Sequence, residues 1–284
     1  MKRPQWIFLG ASLLTAVLLF AATQNQFFGN KPRAAASAPV ASMAQGSAIS
    51  IDTILFHAKE NLTPSQLMRL TSLENGISRG DVAAQKQHAL HQLANFWKDS
   101  ARLFAPFAFY TAEAARLENS EKSLTFAARL FLQGLRDEQN PELKQWEALQ
   151  AKDLFERSLK LNPGNDSNRV FLGETYIYGG VGSPMEGIGT IRSVLEKDST
   201  NLQAIIALGE ASLMSGQLDK ALERFTTAAR ISPAKEEYLI RVADVYERMN
   251  KKKEAALWYE KSLLLIKIPE LKQEVEKRIS QLKQ

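Results

Sequence analysis

The chain has 284 residues, 45% of them hydrophobic and 24% charged, so it can fold around apolar cores as two domains or as one elongated repeat array. It contains no cysteine, which excludes disulfides, thiolate metal sites, a cysteine nucleophile and an acylated lipoprotein cysteine. The formal charge of +5 is spread over interspersed acids and bases, which reads as a solvated mixed-sign surface and argues against a nucleic-acid footprint.

Lys2 and Arg3 precede an apolar run from Trp6 to Ala22, with Phe27-Phe28 beyond it. That run is near the lower limit for crossing a bilayer, with Trp6 placed for one interface and the Phe pair for the other. Residues 1–23 therefore read as an uncleaved signal anchor. The basic residues ahead of the run favour export of the remainder, that is, a single-pass inner-membrane protein facing the periplasm, although Lys31 and Arg33 flank the other side. The alternatives are a cleaved signal peptide, for which Ala21-Ala22-Thr23 is a poor site, and a mitochondrial presequence, which would be amphipathic and not apolar all round. Residues 24–50 are rich in Ala, Ser, Gly, Gln and Pro and read as a flexible linker.

Residues 51–83 predict two adaptor helices. Ile51, Ile54, Leu55 and Ala58 lie at helical spacing. Thr63-Pro64-Ser65-Gln66 is a capping-box start, followed by the stripe Leu67, Leu70, Leu73 and a stop between Gly76 and Gly80. Helical hairpins follow over 84–268. The first carries Leu93-Ala94 and Trp97, then Ala105, Phe109 and Ala112. The second carries Ala128 and Phe131, then, after a long connection from Asp137 to Glu142, Ala151, Phe155, Ser158 and Pro163. The third has Leu172-Gly173 and Tyr176, a break at Gly179-Gly180-Val181-Gly182, a restart at Ser183-Pro184-Met185-Glu186, then Ile191 and Val194. Two clean units occupy Leu202 to Lys267. Residues 269–284 form a charged capping helix whose stripe is Leu271, Val275, Ile279 and Leu282. No β-strand is expected.

The last two units repeat at 34 residues. Leu208-Gly209, Ala221, Phe225, Ala228 and Pro233 are followed one period later by Val242-Ala243, Ala255, Tyr259 and Ser262. This spacing resembles the tetratricopeptide repeat (TPR), which implies an all-α right-handed solenoid. In such an array small residues let the first helix of a hairpin approach the second, and Phe or Tyr fills the space between repeats. The order of anchor, linker, adaptor and repeats resembles membrane-attached TPR proteins of bacterial envelopes. The Gly-Ser-Pro-Met-Glu-Gly-Ile insertion is similar to that of a Bacteroidetes-type group of them.

The resemblance further implies that the first helix of each hairpin lines a concave groove through its fifth, ninth and later positions. The ninth positions are Glu174, Glu210 and Asp244, an acidic stripe, and the fifth are Val170, Ile206 and Ile240, a parallel apolar row. Ile177, Leu213, Glu247 and Arg248 extend the surface. Such a groove suits a protein or peptide segment carrying basic and apolar residues; alternatively, the acids merely keep the face soluble or pair with bases of the next repeat. TPR grooves that clamp acidic C-termini carry Lys and Asn at these positions, so that partner class is not expected. His88 and His91 lack the further ligands a metal site needs, and the glycine break lacks the strand and the Gly-Lys-Ser/Thr of a phosphate loop. No nucleophile–base pairing stands out. The expectation is a non-catalytic, cofactor-free scaffold for protein–protein interaction, with no nucleic acid or small-molecule substrate. The alternatives are a periplasmic chaperone-like factor of a translocon or of cytochrome c maturation, and an accessory regulator of an envelope enzyme.

Overall fold

The computed structural model describes residues 49–78 and 83–284. The expected anchor, 1–23, and all but the last two residues of the expected linker lie outside the described residues. Among the described residues no helix is long and apolar enough to cross a membrane.

The described residues contain helices and no strand. Helix α1 (Ile51–Glu60) starts where Ser50 Oγ accepts the Thr53 N–H at 3.1 Å. Helix α2 (Pro64–Ser78) has the reciprocal capping box. Gln66 N–H donates to Thr63 Oγ1 at 3.3 Å, and Thr63 N–H donates to Gln66 Oε1 at 3.0 Å. The same Gln66 amide reaches the Ser100 carbonyl at 2.8 Å, tying α2 to the next hairpin. Of the expected stripe only Leu70 is fully buried, while Leu67 is exposed; the helix ends at Ser78, within the expected stop between Gly76 and Gly80.

Helix α3 (Ala83–Asn95) widens into a π-helical turn, Phe96–Ala101, that ends at Arg102 in the left-handed conformation, φ 56°. Consecutive residues on a regular helix diverge by about 100°, so two adjacent aromatics cannot share one narrow stripe. In the π turn both Phe96 and Trp97 are buried, packed edge to face at 5.3 Å. The turn explains the irregular spacing of this unit in the sequence. After it come α4 (Phe104–Glu118), α5 (Glu121–Asp137), α6 (Pro141–Leu161), α7 (Asp166–Gly179), α8 (Pro184–Lys197), α9 (Leu202–Met214), α10 (Leu218–Ile231), α11 (Glu236–Arg248), α12 (Lys252–Leu263) and α13 (Pro269–Leu282).

Packing is between chain neighbours: α3 with α4, α5 with α6, and so on through α12 with α13. In addition α5 touches α7 and α7 touches α9, so first helices line up on first helices. The apolar residues accordingly form successive clusters and not one centre. The largest joins Leu124, Phe131, Trp146 and Phe155 of α5 and α6 to Leu172 and Tyr176 of α7, and takes in Ile54 of α1. The last holds Ala243, Tyr259, Val275 and Ile279, so α13 covers the final hairpin with its apolar stripe.

The glycine break is a widened turn between α7 and α8. Gly180 and Gly182 have φ of 64° and 102°, which side chains oppose, and Ser183 Oγ then accepts the Met185 N–H at 3.2 Å. Glu186 does not return to the Ser183 N–H, so only the forward half of that capping box forms.

Candidate interaction surface

The first helices α5, α7, α9 and α11 place charged side chains in contact across hairpins. Arg136 of α5 donates to Glu174 Oε1 of α7 at 2.9 Å. Glu210 of α9 pairs with Arg241 of α11, whose Nε lies 3.2 Å from Oε1, close enough to attract but not aligned to hydrogen-bond. Arg241 also stands 4.0 Å from Asp244. Asp244 accepts the Tyr259 hydroxyl of α12 at 2.5 Å, and Arg278 of α13 pairs with Glu247 through Nε and Nη2. The three stripe acids thus lie in one charged ladder, in which Glu174 and Glu210 are neighbours and bases from adjoining hairpins stand beside the acids.

Burial acts most on Glu174 and its neighbour Tyr178. Glu174 is 6% exposed, and loss of solvent pushes its carboxyl up, against the opposing pull of Arg136 and with a small push from Glu210. Its Oε2, like Glu210 Oε1, is buried without a hydrogen-bond partner among the described residues. Tyr178, one turn after Glu174, is pushed up to about 12 by burial and by the Glu174 charge, so its hydroxyl stays a donor. The Arg136 guanidinium lies 5.2 Å over the Tyr178 ring.

The expected apolar row is not a surface row throughout. Val170 has no exposure, because α8 and α9 close over it with Ile191, Val194 and Ala204. Leu213 is also buried, against Phe225 and Val242. Ile177, Ile206 and Ile240 are half-buried and keep part of their surface on the face, and Arg248 is exposed. His88 and His91 are both exposed, and His88 meets Gln92 at 3.1 Å.

Several residues of this region were not singled out from the sequence. Arg129 of α5 lies over the Phe171 ring at 5.2 Å, beside the 56%-exposed Phe126. Asn168, with no exposure, donates to Thr125 Oγ1 at 2.6 Å and to Ser158 Oγ at 2.8 Å, joining α5, α6 and α7 through one buried polar cluster. Glu147 on α6 is 1% exposed; burial first, then the Glu138 charge, pushes its carboxyl up to about 8. Nothing in the local pattern of α6 marks Glu147 as buried; Gly134 of α5 and Phe104 of α4 close around it.

The close approaches within the hairpins fall at the small-residue positions. A Cβ on Gly209 would stand 2.8 Å from the Phe225 ring of α10, and a Cβ on Gly173 would meet Ile191 and the Gly187 carbonyl of α8. The small-residue and aromatic slots of the 34-residue period are therefore the contact points of each hairpin. The helical hairpins resemble tetratricopeptide repeats in these contacts. No family model and no curated protein matches the sequence. Among solved structures the chain is similar to YrrB, described as a TPR protein with an unusual peptide-binding site, at 15% identity and TM-score 0.41, covering 72% of this chain and 97% of that one. It is similar also to MamA from Desulfovibrio magneticus RS-1 at 20% identity and TM-score 0.44, covering 66% and 96%. A further MamA structure, AMB-1, matches at 22% identity and TM-score 0.36, covering 70% and 99%.

Proposed function

We propose that this TPR protein is a non-catalytic scaffold, held in the inner membrane by residues 1–23 with its folded part in the periplasm, whose first-helix face binds a segment of another protein. The observation that carries this reading is the pair of acceptor atoms on that face, Glu174 Oε2 and Glu210 Oε1, buried yet without hydrogen-bond partners among the described residues. A buried acceptor left unpaired costs about 1–3 kcal/mol, so a donor from a partner is favoured there. A basic side chain entering beside Ile177 and Ile206 meets both acceptors and apolar contact together, exchanging with Arg136 and Arg241 of the ladder.

The test is site-specific photo-crosslinking in native membranes with the full chain. A photoreactive residue replaces Gln133 or Arg248 on the first helices, or Lys160 or Arg230, which are exposed on second helices. We expect the same partner band from the first-helix positions and none from the second-helix pair. Glu210→Gln should weaken that band. Crosslinks only from Lys160 or Arg230 would remove the first-helix face as the binding surface.

A further inference from the structure

The α5 end of this face differs in sign from the α7–α11 stripe. A cavity of about 410 Å³ lies there, lined chiefly by Phe126, Arg129, Leu130, Gln133, Arg136 and Phe171, with no acid in its lining. Phe126 turns a large aromatic ring to solvent at the edge of this cavity. No acid pairs with Arg129 among the described residues; its guanidinium rests only on the Phe171 ring. Arg136 gives one hydrogen bond, to Glu174, out of the five its guanidinium can donate. The cavity therefore combines two under-used guanidiniums with an aromatic wall.

Resting on the reading that the first-helix face binds a protein segment, we propose that this cavity docks a stretch in which acidic side chains flank a bulky apolar residue. Arg129 and Arg136 are two helical turns apart, about 10 Å along the α5 axis, and their guanidiniums are held apart on two different rings of α7, Phe171 and Tyr178, so that as seated they do not converge on one carboxylate. Two carboxylates are needed, one on each side of whatever fills the cavity, so an internal acidic–apolar–acidic stretch fits and a lone chain terminus does not. The apolar side chain lies against Phe126, Leu130 and Phe171, and the guanidiniums fix its flanks through planar charge-assisted bonds. The charge order along the face then sets the direction of the bound segment: acidic flanks over α5, basic side chains over α7 and α9.

The test uses the full chain in detergent micelles and fluorescence anisotropy with three heptapeptides blocked at both ends. One has Phe flanked by Glu and Asp, the second has Gln and Asn in their places, and the third has Lys. We expect the acidic peptide to bind about tenfold more tightly than its amide analogue, with Arg129→Glu or Phe126→Ala weakening it about tenfold. Both residues are exposed, so the fold should tolerate the changes, and Arg230→Glu on α10 should leave binding unaltered. Equal binding of acidic and amide peptides, indifference to Arg129→Glu, or no binding of the acidic peptide overturns the proposal. If crosslinks from Arg248 and Gln133 persist in that case, the general reading of the face stands without it. If they too are absent, both fall.

Discussion

At Gly209 the backbone of α9 lies flush on the Phe225 ring, with an added Cβ placed 2.8 Å from one ring carbon and 2.9 Å from the next. The ring is fully buried against Val242 and Val245 and has nowhere to retreat. Gly209→Leu should therefore overpack the hairpin and cost roughly 1–3 kcal/mol, outweighing the helix-propensity gain of about 1 kcal/mol from losing a glycine. Lowered urea midpoint and faster amide exchange in α9 and α10 would register it; unchanged values would mean the hairpin can open without penalty. Glu147 poses the opposite problem, a carboxyl enclosed without a hydrogen bond to one of its oxygens among the described residues. Its folded-state value of about 8 lies above the ordinary 4.5, so the folded chain holds the proton more tightly than the unfolded chain does. The stability this contributes is complete below pH 4.5 and is lost as pH rises towards 8. Glu147→Gln removes the titration while keeping the shape, so the difference in unfolding free energy between variant and parent should grow in the variant's favour across that window. A flat difference would show that Glu147 is solvated or paired in the folded chain.

Among the elements, the hairpins built on the 34-residue period were legible because their signal is steric. A small residue facing an aromatic one at fixed separation specifies where two helices touch, and Gly209, Phe225, Ala243 and Tyr259 take those places. The hairpin of α5 and α6 was less legible because it is longer, with 17 and 21 residues against 13 and 14 in α9 and α10. The extra length of α5 carries Arg136 to a position from which it reaches Glu174, a pairing across 38 residues that no local spacing encodes. The acidic stripe itself was readable from position alone. Its partners were not, since the bases Arg136 and Arg241 and the hydroxyl donor Tyr259 come from three other positions in the period. Val170 shows the same limit from the apolar side. Its slot resembles those of Ile206 and Ile240, yet α8 and α9 close over it, and burial depends on how neighbouring hairpins seat and not on the slot.

Across the molecule, stability is a chain of neighbour terms. Each hairpin covers the next, and only the ends depend on something other than a repeat. At the C-terminal end that cover is α13: Val275 and Ile279 are buried against Ala243, Ala255 and Tyr259, Arg278 pairs with Glu247, and Lys283 pairs with Glu260 at 2.7 Å. The exposed ion pairs add little each, so the apolar stripe carries most of the cover. Deleting residues 269–284 uncovers the Ala243–Tyr259 cluster on one side while leaving every contact of α5 to α8 in place. Amide exchange should therefore accelerate in α11 and α12, less in α9 and α10, and not measurably in α5 and α6, a gradient set by distance from the missing helix. Restoring only the stripe, with Arg278 and Lys283 replaced by Ala, should recover most of the protection. Uniform acceleration through all hairpins would instead mean that the array unfolds as one cooperative body, and the neighbour-by-neighbour account of its stability would have to be given up.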